Sequence, residues 1–131
     1  MDSWIIAVIE DCTAASDAGT KAFPSVIADL IGAGVERYHA DLVRAQKVYY
    51  LPSGESRAVG CHALDAQPAM TFVATGVEAA VRDAQAGRID YRSFCRRIAE
   101  AGCTGYHVSI PGRRAVYYGR TAEMHVEVFP D

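Results

Sequence analysis

Residues 33–50 and 101–118 carry one pattern twice. The matched residues lie 68 positions apart with no insertion: Ser25/Ser93, Ala33/Ala101, Gly34/Gly102, Tyr38/Tyr106, His39/His107, Val48/Val116, Tyr49/Tyr117 and Tyr50/Tyr118. So constant an offset constrains the fold more than any other feature, because whatever the first half forms the second half should form again. A half of about 65 residues, with two helices and three strands, is marginal alone. The two halves are therefore expected to share one core, as a continuous sheet or as two sheets facing across a pseudo-two-fold axis.

Local patterning supplies the unit that repeats. Trp4, Ile5, Val8, Ile9 and Cys12 fall at helical spacing after Ser3, a residue suited to the N-cap, and Asp17-Ala18-Gly19 breaks that helix. Pro24 suits the first turn of a second helix, with Val26, Ile27, Leu30 and Ile31 as its apolar stripe and Gly32 to Gly34 as its stop. From Glu36 the period changes to two, predicting strands near 36–42, 47–51 and 55–61, the last two joined by Pro52-Ser53-Gly54. The order returns with a helix capped by Thr71 and stopped by Gly87, a helix over 91–101, and strands near 104–110, 115–119 and 123–129. The reading is an α+β fold, a tandem duplication of an α-α-β-β-β unit over roughly 3–62 and 71–130, with antiparallel three-stranded meanders, helices on one face and a pseudo-two-fold. The only linker, 63–69, is too short and apolar to separate two moving bodies, so one domain over 1–131 is expected.

Composition narrows the function classes. Half of the 131 residues are apolar, enough for a core without metal or disulfide staples. A net charge of -3 argues against non-specific binding to nucleic acid or anionic membrane. The first apolar run, Trp4 to Ile9, lies between acidic residues and lacks the basic flank and length of a signal peptide, so a cytoplasmic protein is expected. Cys12, Cys61, Cys95 and Cys103 match Ala80, Phe129, Ile27 and Val35 across the repeat, which points to reduced, buried thiols acting as small hydrophobes. No CxxC, phosphate loop, HExxH or GxSxG occurs, and neither a metal nor a cofactor is expected. A nucleophile pair of Cys61 with a histidine competes with a packing role at the same position. Arg88, Arg92 and Arg96, with Arg97 beside them, form a basic stripe that reads either as a solvated helix face or as an anion site.

The best candidate site lies on the sheet. If Tyr38, Ala40 and Leu42 face the same way as Val48 and Tyr50, three-residue loops set Leu42 opposite Val48 and Ile110 opposite Val116. The face away from the helices then carries Asp41, Tyr49 and Arg57 in one half and Ser109, Tyr117 and His125 in the other, with His39 and His107 one pleat along. Such a row is either a solvated face with cross-strand polar pairs or a shallow site for a small ligand or partner chain.

The run FPxxIxxLxxAGVxRYHxDL, then VYYLPxGE, then YxxFCRxxAxAG and a second VYY, resembles the YbcV-like family over residues 5–130. That family comprises small bacterial proteins of unknown function sometimes labelled phage envelope protein. The resemblance implies a single α+β domain of bacterial or prophage origin and offers no catalytic residues to carry over.

Because the polar groups spread over a face rather than converging, the leading expectation is a non-enzymatic binding or interaction module. The alternative is a small enzyme or ligand sensor using His39 or His107 as a base. Strand 123–129 alternates apolar with polar and has few gatekeepers before Pro130, so self-association through a sheet edge, as a homodimer, is also expected.

Overall fold

In a computed structural model, which describes residues 1–130, the chain forms four helices and one six-stranded antiparallel sheet. The order is α1 (Ser3–Ala18), α2 (Phe23–Gly32), β1 (Arg37–Asp41), β2 (Gln46–Tyr50), β3 (Ser56–Gly60), α3 (Ala74–Gln85), α4 (Tyr91–Glu100), β4 (Cys103–Ser109), β5 (Arg114–Gly119) and β6 (Met124–Val128). The strands lie in the order β3-β2-β1-β4-β5-β6. The two meanders thus join through their first strands, His39 standing opposite His107, and leave β3 and β6 as the sheet edges.

Local chemistry accounts for most element ends. Gly19 takes the left-handed conformation that closes α1, Pro24 sits in the first turn of α2, and the Asp90 carboxylate accepts the Ser93 N–H to cap α4. Two expected caps are not used. Asp2, not Ser3, precedes α1 without a side-chain bond, and Thr71 lies outside α3, which begins at Ala74 after Val73. Gly102 turns the chain out of α4 with a positive φ of 91° while packing against the backbone of Thr71 and Phe72, which leaves no room for a Cβ.

The register of each hairpin differs from the expected one. Tyr38 stands opposite Tyr49 and Tyr106 opposite Tyr117, so Tyr49 and Tyr117 join the buried face while Val48, Tyr50, Val116 and Tyr118 go to the other. The cause is loop length. The loops hold four residues, 42–45 and 110–113, and in each the last residue is left-handed, Ala45 at φ 54° and Arg113 at φ 51°. Asp41 Oδ1 accepts the N–H groups of Val43 and Arg44, and Ser109 Oγ accepts that of Gly112, so a side chain at the end of each first strand organises the turn. One extra loop residue flips every side chain of the second strand. The expected pairs Tyr49 with Arg57 and Tyr117 with His125 do form, on the buried face.

That face carries the core. Ile9 and Cys12 of α1, Leu30 of α2, Val77 and Ala80 of α3 and Cys95 and Ile98 of α4 are buried with Tyr38, Tyr49, Tyr106 and Val108 of the sheet. Each of the large aliphatic side chains contributes about 1.5–3 kcal/mol by leaving water. The tyrosines keep partners: Tyr49 Oη meets Thr13 Oγ1 at 2.8 Å, and Tyr91 Oη meets Tyr106 Oη at 2.6 Å. All four cysteines are free, Cys12, Cys95 and Cys103 buried and Cys61 half-buried. No helix among the described residues is long and apolar enough to cross a membrane.

Candidate functional site

The other face of the sheet is half-exposed and can be read as three rows. Its middle row is Ala58, Val48, His39, His107, Val116 and Val126, from one edge to the other. Beside it Tyr50, Arg37, Ser109 and Arg114 form one row, and Gln46, Asp41, Gly105 and Tyr118 form the other. The structure therefore brings together four of the residues singled out from sequence, His39, His107, Asp41 and Ser109, and adds Arg37 and Tyr118, which were not.

The two histidines are not equivalent. His39 Nε2 meets Tyr118 Oη at 2.5 Å, with the rings nearly parallel at 10° and their centroids 5.8 Å apart. Tyr118 reaches His39 by lying over Gly105, where a Cβ would collide with the Tyr118 hydroxyl and the Ala40 carbonyl. At the position 68 residues earlier stands Arg37, whose guanidinium instead covers the Tyr50 ring at 3.9 Å. His107, 6.4 Å from His39 between ring centroids, has no hydrogen bond among the described residues. Burial, and then the charges of Arg37 and His39, pull its pKa below the ordinary histidine value. His107 is thus a neutral imidazole beside a guanidinium, able to accept a hydrogen bond or a proton.

The remaining candidates are held elsewhere. Tyr49 and Tyr117 are in the core, Tyr117 packed edge-on against Phe94 of α4. Arg57 pairs with Glu10 of α1 at 3.1 Å. His125 Nε2 meets Glu127 Oε1 at 2.8 Å, and Glu127 also pairs with Arg82 of α3 at 3.0 Å. The basic stripe is equally engaged, Arg88 lying before α4 rather than on it: Arg88 and Arg97 meet Asp83, Arg96 meets Asp65, and Arg92 Nε donates to the Asp17 carbonyl. Burial raises the Cys61 thiol pKa, the opposite of what a nucleophile needs. The described residues form shallow open cavities. One of about 330 Å³ is lined by Leu42, Val43 and residues 63–68, and one of about 370 Å³ lies between α1 and α2; neither lining includes a histidine.

A second polar cluster, not anticipated from sequence, sits inside the fold. Lys47 on β2 is only 3 % exposed, and its Nζ lies 4.1 Å from the centre of the Tyr91 ring and 6.0 Å from that of Tyr38. The His62 ring stands nearly perpendicular to the same Tyr91 ring at 5.7 Å between centroids, and Asp17 holds His62 through Nδ1 at 2.8 Å and the backbone N–H at 3.0 Å. A carboxylate only accepts, so His62 Nδ1–H is the donor in that bond. Burial lowers the Lys47 pKa and pushes the nearby Cys95 thiol up to about 12. The signal was present in the repeat: Lys47, Cys61, His62, Tyr91 and Cys95 match Ala115, Phe129, Pro130, Phe23 and Ile27. Among the described residues no group of three or more His, Cys, Asp or Glu is placed to hold a metal.

No curated protein matches the chain. A family model described as "Protein of unknown function (DUF1398)" matches residues 12–127, which takes in every helix and strand except the first turns of α1 and the last residue of β6. The chain therefore belongs to the DUF1398 family, whose function is unknown.

Proposed function

We propose that this protein is a non-enzymatic interaction module, built by tandem duplication of one α-α-β-β-β unit with its helices on one face, whose β6 edge joins a second copy of the chain. The observation that carries the reading is the composition of that edge. Gly119 N–H donates to Glu123 O at 3.0 Å and Phe129 N–H to Arg113 O at 2.8 Å. In an antiparallel ladder the bonded residues alternate, so Glu123, His125, Glu127 and Phe129 turn their backbone groups toward β5, and Met124, Val126 and Val128 turn theirs outward. Those three side chains are also 66 %, 43 % and 59 % exposed. An antiparallel pair centred on Val126 sets Met124 against Val128 of the second copy and bonds all the outward groups at once, with two-fold symmetry. The opposite edge offers no such strip, since β3 turns Ser56, Ala58 and Gly60 outward by the same alternation.

Amide hydrogen exchange tests the reading. The amides of Met124, Val126 and Val128 exchange slowly in concentrated protein and quickly on dilution; fast exchange at every concentration contradicts it. One observation favours a second reading, a ligand sensor at the sheet centre: His107 is neutral, without a partner, and stands beside Arg37. A ligand-induced thermal shift lost in His107→Ala supports that reading, and a shift that survives the substitution rejects it.

A further inference from the structure

The two helical hairpins are closed to different degrees. Between α3 and α4, Gly76 lies so near Ala101 that a Cβ on the glycine would stand 3.0 Å from the alanine Cβ. At the end of that hairpin the backbone of Thr71 and Phe72 covers Gly102, Val73 N–H donates to the Ala101 carbonyl at 2.8 Å, and the Phe72 side chain is buried. The C-terminal end of α4 is thus sealed by the chain's own backbone, which supplies a donor to the Ala101 carbonyl.

Sixty-eight positions earlier the same places hold Val8, Ala33, Gly34 and Trp4. Here residues 3–5 are wound into α1 instead of crossing the end of α2, and a Cβ built on Gly34 would meet nothing within 4 Å. An open cavity of about 370 Å³ is left between the helices, with Trp4, Val8 and Asp11 of α1 and Asp29, Gly32 and Ala33 at the end of α2 in its lining.

The polar groups of this cavity favour positive charge. The Gly32 and Ala33 carbonyls accept no backbone N–H among the described residues, and they carry the negative end of the α2 dipole. Asp11 has no ion pair or hydrogen bond among those residues. Lys21, the cation in the lining, is already bonded to Asp29 at 2.6 Å, so two carboxylates stand against one engaged ammonium. Trp4, 54 % exposed, adds an indole of the kind that attracts cations.

We propose that the cavity between α1 and α2 binds small primary amines in their ammonium form, with the charged group between Asp11 and the end of α2 and the apolar body against Trp4 and Val8. The ammonium does for α2 what Val73 N–H does for α4, supplying donors to carbonyls that the chain leaves uncovered. A primary ammonium brings three such donors, whereas a quaternary ammonium brings the charge without them. The site uses neither β6 nor the sheet-face histidines, so it goes beyond both readings of function above and depends on neither.

Trp4 is the chain's single tryptophan, so its fluorescence reports on this cavity directly. The test titrates the intact chain with benzylamine at neutral pH, where the amine is protonated. Trp4 emission changes saturably, and benzyl alcohol and benzyltrimethylammonium, which lack the charge and the donors respectively, bind about tenfold more weakly, as the loss of a charge-assisted hydrogen bond requires. Asp11→Asn weakens benzylamine binding about two- to fivefold, the range for an exposed charge pair. Ala28→Arg sets a guanidinium at an exposed position of the lining, as Arg96 stands at the matching place on α4, and abolishes binding with the helical circular dichroism unchanged. No saturable change up to millimolar benzylamine overturns the site, and binding that survives Ala28→Arg overturns its location. Equal affinity for benzyl alcohol overturns the assigned charge, and equal affinity for benzyltrimethylammonium overturns the role of the α2 carbonyls.

Discussion

Tyr118 and Tyr50 occupy matching places in the repeat and end with different partners because of one residue each. Gly105 lets Tyr118 lie across the sheet to His39, and Arg37 claims Tyr50 and so leaves His107 free. Gly105→Ala is expected to break the His39 contact and to cost about 1–3 kcal/mol by overpacking against the Ala40 carbonyl, read by chemical denaturation; a neutral effect shows that Tyr118 is not held over Gly105. Lys47→Met is expected to stabilise the fold at neutral pH by about 1–3 kcal/mol, as the apolar match at Ala115 suggests. The sign follows from a folded-state pKa below the unfolded one. The unfolded chain then binds the proton more tightly, so Lys47 costs stability at neutral pH, and the cost fades as pH rises through the folded value toward the unfolded value of about 10.4. Denaturation of both forms at pH 7 and near pH 10.5 checks this; a gain that does not shrink at the higher pH contradicts it. Sequence made His39 and His107 legible because they repeat. It hid Lys47 and Gly105, which matter because they do not repeat.

At the scale of the elements, most helices and strands were legible within a residue or two, since each is bounded by glycine, proline or a change of hydrophobic period; α1 instead runs through Asp17 and Ala18, which were read as breaking it, and stops only at Gly19. Face assignment was not. The parity of a hairpin depends on a single loop residue, and the turns are set by Asp41 and Ser109, whose side chains were read as part of a site rather than as turn formers. For that reason Tyr49, Tyr117, Arg57 and His125 went to the wrong face. The edge strand was legible, because alternation and the scarcity of gatekeepers in β6 are local features. Val126→Pro is the test at this scale. Its N–H points away from β5, so proline removes no bond within the chain and is tolerated on such an edge. The expected result is a folded monomer with little change in the helical circular dichroism signal; a variant that unfolds shows that the Val126 N–H serves the intramolecular ladder, and one that stays associated shows that β6 is not the contact.

At the scale of the whole molecule, the two meanders share one sheet through β1 and β4, which answers the question that the repeat left open between a continuous sheet and two facing ones. An open sheet has two edges where a closed one has none, and the chain treats its edges differently. β3 presents small and polar residues, while β6 presents Met124, Val126 and Val128. The account therefore turns on whether β6 is covered in solution. Light scattering at micromolar concentration measures this most directly: it predicts a mass of roughly twice the 14.1 kDa of one chain, as an isologous pair requires, and a mass of 14.1 kDa at every concentration contradicts it.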